Sequence, residues 1–193
     1  ISPPGIPLLD NAGIETRWKE TSLYGTVVWN VSQALALTAG ARASRNTLDL
    51  ATRNAGLLTD GSRSERSSSE SPDTYLLAAR YKLTSASSVY ARSASGYRAG
   101  GSNPSITDPG TGQQISSAPY RSDSLWSYEL GYKSDLPDRR GSFEVAMFQI
   151  DWKDLQVQLA SAGAATLGNV GKARVRGLEF GGTFRPSAAL TLR

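Results

Sequence analysis

Apolar and polar residues alternate along this chain in stretches of about ten residues, the period-two signature of strands that bury one face. From Arg17 to Val31, Leu23, Gly25, Val27, Trp29 and Val31 share a face against Ser22, Tyr24, Thr26 and Asn30, with Val28 breaking the polar side. Leu35–Arg53 repeats the pattern: Leu35, Leu37, Ala39, Ala41 and Ala43 oppose Thr38, Gly40, Arg42 and Ser44. Further strands are expected at Asp73–Leu83, Ser88–Tyr97, Ser122–Ser134, Ser142–Leu159 and Lys172–Phe184, and an eighth starts at Leu190. The apolar sets are Tyr75/Leu77/Ala79/Tyr81, Trp126/Tyr128/Leu130/Tyr132, Ala146/Phe148/Ile150/Trp152 and Leu178/Phe180/Gly182/Phe184. Opposite them stand Arg80 and Lys82, Glu129 and Lys133, Gln149, Asp151 and Lys153, and Glu179.

The connections sort into two kinds. Tight turns are expected at Ser32–Ala34, Ser85–Ser87, Asp135–Arg140 and Arg185–Ala188. Long polar connections fall between them at Asn54–Pro72, Arg98–Arg121 and Ala160–Gly171. Strict alternation of short and long is the pattern of an outer-membrane β-barrel, with short periplasmic turns and long extracellular loops. Trp29, Tyr81, Tyr132 and Phe184 fall near the short-turn side, and Tyr97 and Trp152 near the long-loop side, as two aromatic girdles would. Small inward residues such as Ser127, Gly131, Gly177 and Thr183 suit a wide barrel, because a narrow one fills its interior with side chains.

Composition narrows the chemistry. The 193 residues are 39% hydrophobic, with a mean hydropathy of −0.34, and no segment approaches the roughly 20 apolar residues of a membrane helix. A transmembrane barrel tolerates this average, since only alternate residues meet lipid. With no histidine and no cysteine, Ser-His-Asp and Cys-His nucleophile systems and His- or Cys-based zinc sites are excluded. Asp151 and Asp154 are three apart and point to opposite faces of a strand, so they form no paired-carboxylate site. Gly96-Tyr-Arg-Ala-Gly-Gly lacks the strand–helix setting and the Gly-Lys-Ser/Thr ending of a phosphate loop. No enzyme activity and no cofactor is expected. The net charge of +4 is spread over loops and strands, which gives no nucleic-acid footprint. The opening ISPPGIPLLDNAG reads as loop and lacks the basic and apolar regions of a signal peptide, so the chain is expected to begin inside a longer or trimmed protein.

Four motifs in order resemble the barrel region of TonB-dependent outer-membrane receptors. They are Tyr90–Asn103 (YARSASGYRAGGSN), Tyr128–Lys133 (YELGYK), Ala146–Leu155 (AMFQIDWKDL), and Asn169-Val-Gly171 leading to Gly177-Leu-Glu179. The resemblance covers about Glu20 to Arg193, and departs at Ala99, where the family usually has proline. It implies an all-β fold, an antiparallel transmembrane β-barrel segment of about eight strands from a 22-stranded barrel with a plug. Residues 1–193 would then be a partial barrel domain without plug or C-terminal strands, located in the bacterial outer membrane. The resemblance further implies outer-membrane lipid around the barrel and a scarce nutrient such as a ferric siderophore as ligand. Its energy-coupling partner would be the TonB complex, met through an N-terminal region outside this chain.

Ligand contacts in such a barrel would come from the long loops and the upper inner wall, which nominates Arg92, Tyr97, Arg98 and Asn103. Arginine presents a fork of donors to anionic oxygens, and tyrosine a stacking face. Against this, Arg92 could simply pair with an inward acid such as Glu129, and Arg98 could be a solvated loop residue. Gly100 and Gly101 are read as permitting a backbone turn. Two other architectures fit parts of the pattern: a passive porin-like or small closed barrel, and a soluble all-β binding module. The soluble module would bury the rows Trp126–Tyr132 and Ala146–Trp152 as a core.

Overall fold

The computed structural model describes residues 11–55, 61, 63–103, 106–107, 114–115, 118–161, 164–187 and 189–192. It is a single antiparallel meander. The strands are β1 (Asn11–Asn30), β2 (Leu35–Ala55), β3 (Arg63–Glu70), β4 (Asp73–Lys82), β5 (Ser87–Arg98), β6 (Ile106–Thr107), β7 (Gln114–Ile115), β8 (Asp123–Asp135), β9 (Gly141–Ser161), β10 (Ala164–Ser187) and β11 (Leu190–Leu192). The main sheet runs β1-β2-β4-β5-β8-β9-β10-β11, with β3 added beside the upper half of β2. Neither β1 nor β11 has a second neighbour among the described residues, so the sheet is open rather than a small closed barrel.

Cross-strand register decides which residues share a face, because the side-chain period is two. Leu37 pairs with Trp29 and Ala79, Ala79 with Ala91, Ala91 with Leu130, Leu130 with Met147 and Met147 with Leu178. This row and those beside it form an apolar belt that is open to the surroundings. Leu23, Leu77, Leu130, Met147, Leu178 and Phe180 are all exposed, and the only buried hydrophobic residues among those described are Leu50 and Ala146. A sheet that leaves its apolar face uncovered has no water-excluding core, which disfavours the soluble binding module and suits a wall facing lipid. The opposite face, here called inner, carries Arg42, Arg80, Lys82, Arg92, Glu129, Lys133 and Glu144 in register with one another.

The structure corrects the expected faces of β9. Ala146, Phe148, Ile150 and Trp152 are cross-strand partners of Gly131, Glu129, Ser127 and Leu125, and so lie on the inner wall. Val145 and Met147 take the lipid side beside Tyr132 and Leu130. Both faces of this strand are apolar, so alternation within it could not choose between them. The upper aromatic row changes accordingly. It consists of Tyr75, Trp126 and Tyr128, the last two stacked with centroids 6.3 Å apart, while Trp152 faces inward and Tyr97 accepts a hydrogen bond from Asn46.

All three expected long loops contain strands. Arg63–Glu70, inside the serine-rich connection, pairs residue by residue with Asn46–Arg53. The 21-residue β2 extends past β4, so its upper half carries free backbone donors and acceptors that β3 satisfies. Ala160–Gly171 is the top of a long β9–β10 hairpin whose register holds from Ala164↔Ser161 to Phe184↔Gly141. Within Arg98–Arg121, β6 and β7 form a short pair and Gly101 bridges Tyr120. The expected opening loop lies outside the described residues up to residue 10, whereas Asn11–Gly13 belong to β1. The short turn at Asp135–Arg140 holds a 3-10 turn, Pro137–Arg139.

Candidate functional site at the long-loop end

The three long connections converge at the upper end of the sheet, above the belt that runs from Trp126 to Tyr132 on β8. Asp123, the first residue of β8, is 1% exposed. Its carboxylate accepts hydrogen bonds from the Arg98 guanidinium (Nε, 2.9 Å, and Nη2), from the Arg98 backbone N–H (3.2 Å) and from the Gln156 backbone N–H (3.1 Å). Burial would raise its pKa, but the Arg98 donors and the Gln156 N–H outweigh that and hold it below the ordinary aspartate value. The guanidinium also lies over the Trp152 ring, 4.8 Å from its centroid.

Around this ion pair, side chains pin the base of the β5–β8 connection by its own backbone. Gln156 Nε2 donates to the carbonyls of Arg98, Ala99 and Arg121 at 2.8–3.2 Å. Glu70 accepts from the backbone N–H groups of Gly100 (3.1 Å) and Ser122 (3.0 Å). Asn169 accepts from Arg121 N–H and donates to the Arg121 and Asp154 carbonyls. The two glycines allow the close packing. A Cβ on Gly100 would stand 2.3 Å from the Glu70 carboxylate, and one on Gly101 2.5 Å from Leu48 and 2.7 Å from the Tyr120 hydroxyl. Burial first, and the Glu70 charge second, push the Tyr120 phenol up.

The four nominated residues have different surroundings. Asn103 is buried, its carboxamide donating to the Ala118 and Leu167 carbonyls and accepting from the Leu167 N–H. Arg98 is the cation of the clamp. Tyr97 is half-buried against Asn46. Arg92 is exposed directly across from Glu129. It makes no ion pair with it; Glu129 accepts from the Tyr90 hydroxyl, which also donates to Glu144 at 2.6 Å. Lys133 completes that inner-wall group, 3.0 Å from Glu144. Asp123, Glu70, Gln156 and Asn169 were not nominated as ligand-facing. Asn169 lies inside a recognised motif, whereas Glu70 in the serine-rich connection and the isolated Asp123 and Gln156 carry no signal in the sequence.

Comparison with known proteins agrees with this architecture. The family model described as "TonB dependent receptor-like, beta-barrel" matches residues 3–193. The pesticin receptor of Yersinia enterocolitica is 27% identical over 183 residues, covering 94% of this chain and 26% of the receptor. The ferric yersiniabactin uptake receptor FyuA from Yersinia pestis superimposes with a TM-score of 0.75 at 22% identity, over 93% of this chain and 26% of that one. The siderophore receptor PiuA from Acinetobacter baumannii gives 0.70 at 18% identity, over 91% and 24%. The chain thus spans about a quarter of the length of these relatives.

Proposed function

Since the chain belongs to the TonB-dependent receptor β-barrel family of outer-membrane proteins, whose members are transporters rather than enzymes, we propose that it is one sector of the wall of a receptor importing a scarce nutrient, of the ferric-siderophore class. The family match along nearly the whole chain carries the reading. In this reading residues 1–193 are part of a longer barrel that continues beyond β1 and β11 and encloses a plug, with transport energised through TonB. A sheet that is open at both edges among the described residues supports it, because a barrel is stable in lipid only when closed.

The clamp around Asp123 gives the β5–β8 connection a fixed base. Arg92 is the nominated residue best placed to meet ligand, exposed on the inner wall and without an ion pair among the described residues. Arg98, Tyr97 and Asn103 contribute by holding the loop in place. Radio-iron uptake by cells carrying the full-length receptor tests the proposal, with siderophores of different chemistry supplied one at a time. The expected result is uptake of one class that is abolished when tonB is deleted. Uptake that survives the deletion would leave a passive pore instead.

A further inference from the structure

The lipid-facing side of the β9–β10 hairpin carries charges that neither the import reading nor the loop clamp uses. Lys153 and Lys172 are directly paired across the two strands, and the next rungs down pair Asp151 with Arg174 and Gln149 with Arg176. The same register puts all six on the outer face, two to six residues along the strands above Met147 and Leu178 in the apolar belt. Four cations therefore face one carboxylate on a surface otherwise built for hydrocarbon. Arg174 binds Asp151, and Arg176 Nε donates to Gln149 at 2.8 Å. Each bond uses the inner nitrogen of a guanidinium and leaves the outer fork available. Lys153 and Lys172 are exposed and meet no acid among the described residues. Like charges directly opposite each other destabilise a strand pair, so the arrangement calls for an anion from outside the chain.

Position identifies the kind of anion. The cluster begins level with the upper aromatic row, since Trp126 pairs with Asp151 and Tyr128 with Gln149, and it lies toward the long loops, hence toward the outer leaflet. Below it, Leu130, Met147, Leu178 and Phe180 are exposed at the depth of acyl chains. We propose that this face is a binding site for the phosphorylated glycolipid of the outer leaflet. The cations would take the glucosamine phosphates, and the apolar residues beneath would take the acyl chains. Arginine forks and lysine ammonium groups are the donors that phosphate recognition uses.

The test uses the full-length receptor in mild detergent, titrated with lipid A, with dephosphorylated lipid A and with phosphatidylglycerol, and bound lipid read by native mass spectrometry. Lipid A is expected to bind best. The Lys153→Gln/Lys172→Gln double variant should bind it at least tenfold more weakly, taking about fivefold per cation near an anionic lipid surface. Asp151→Asn, which removes the one opposing carboxylate, should bind more tightly and keeps the test decisive if the double variant fails to assemble. Equal binding of dephosphorylated lipid A, or of phosphatidylglycerol, overturns the assignment, as does unchanged affinity in the double variant or weaker binding by Asp151→Asn. If the double variant converts a dimeric receptor to a monomer with lipid binding intact, the face is an interface between receptor copies and the proposal fails.

Discussion

Asp123 is where the loop clamp converges: one buried carboxylate serves Arg98 three times and the Gln156 backbone once. Replacing it with alanine leaves the backbone N–H groups of Arg98 and Gln156 without their acceptor, and an unsatisfied buried donor costs about 1–3 kcal/mol. Asp123→Ala is therefore expected to weaken ligand binding by the full receptor while leaving heat-modifiable, folded barrel on a gel. Its pH dependence follows from the depressed pKa. The stabilisation is complete at neutral pH, and is lost as pH falls below the ordinary aspartate value of about 4 and through the lower native one. Protection factors at the Arg98 and Gln156 amides, which correct exchange for its intrinsic pH dependence, should fall over that acid range and stay flat from pH 6 to 8. A similar physical logic ties Tyr90 to Gly131: a Cβ there would sit 2.4 Å from the Tyr90 ring. Gly131→Ala should destabilise the barrel by about 1–3 kcal/mol in urea unfolding, and much less in a Tyr90→Ala background, because the two sites share the contact.

At the level of the strand, β9 shows how far alternation reaches. Its sequence has apolar residues at both parities, Val145 and Met147 against Ala146, Phe148 and Ile150. Only pairing with β8, where Leu130 opposes Met147 and Glu129 opposes Phe148, selects the lipid side. Met147→Arg near the belt centre is expected to cost about 2–4 kcal/mol of barrel stability, the penalty for a cation in mid-bilayer. Introduced cysteines offer a second readout. Ile150→Cys should react with a membrane-impermeant maleimide through the aqueous interior, and Met147→Cys should not; the reverse pattern would restore the face assignment drawn from alternation alone. The strand β3 was hidden for a different reason. Its serines and charges carry no apolar signal, and its existence depends on β2 being long enough to leave an unpaired edge. Slow hydrogen exchange across Arg63–Glu70 in the full receptor would confirm that pairing.

At the scale of the whole chain, the sheet presents an uncovered apolar face and, among the described residues, two free edges, β1 and β11. Such edges pair with whatever strand they meet. Residues 1–193 expressed alone with an export signal are accordingly expected to accumulate as aggregate, with no heat-modifiable band in the outer-membrane fraction. A folded, protease-resistant band from this segment would show that the strands close on themselves. The glycolipid site belongs to the same scale, because a cation cluster gains meaning only from its depth in the membrane.

The period of the hydrophobic pattern, the sorting of short turns and long connections, and the absence of histidine and cysteine were enough to mark a transmembrane β-sheet and to exclude several catalytic systems. These properties are local, fixed by residue type and spacing along the chain. The lipid-facing side of β9, the strand within the serine-rich connection, the roles of Arg98 and Asn103 in the clamp and the pairing of Lys153 with Lys172 came only from the tertiary structure. Each depends on cross-strand register, a relation between segments far apart in sequence, and a one-residue change in that register would exchange the two faces of a strand.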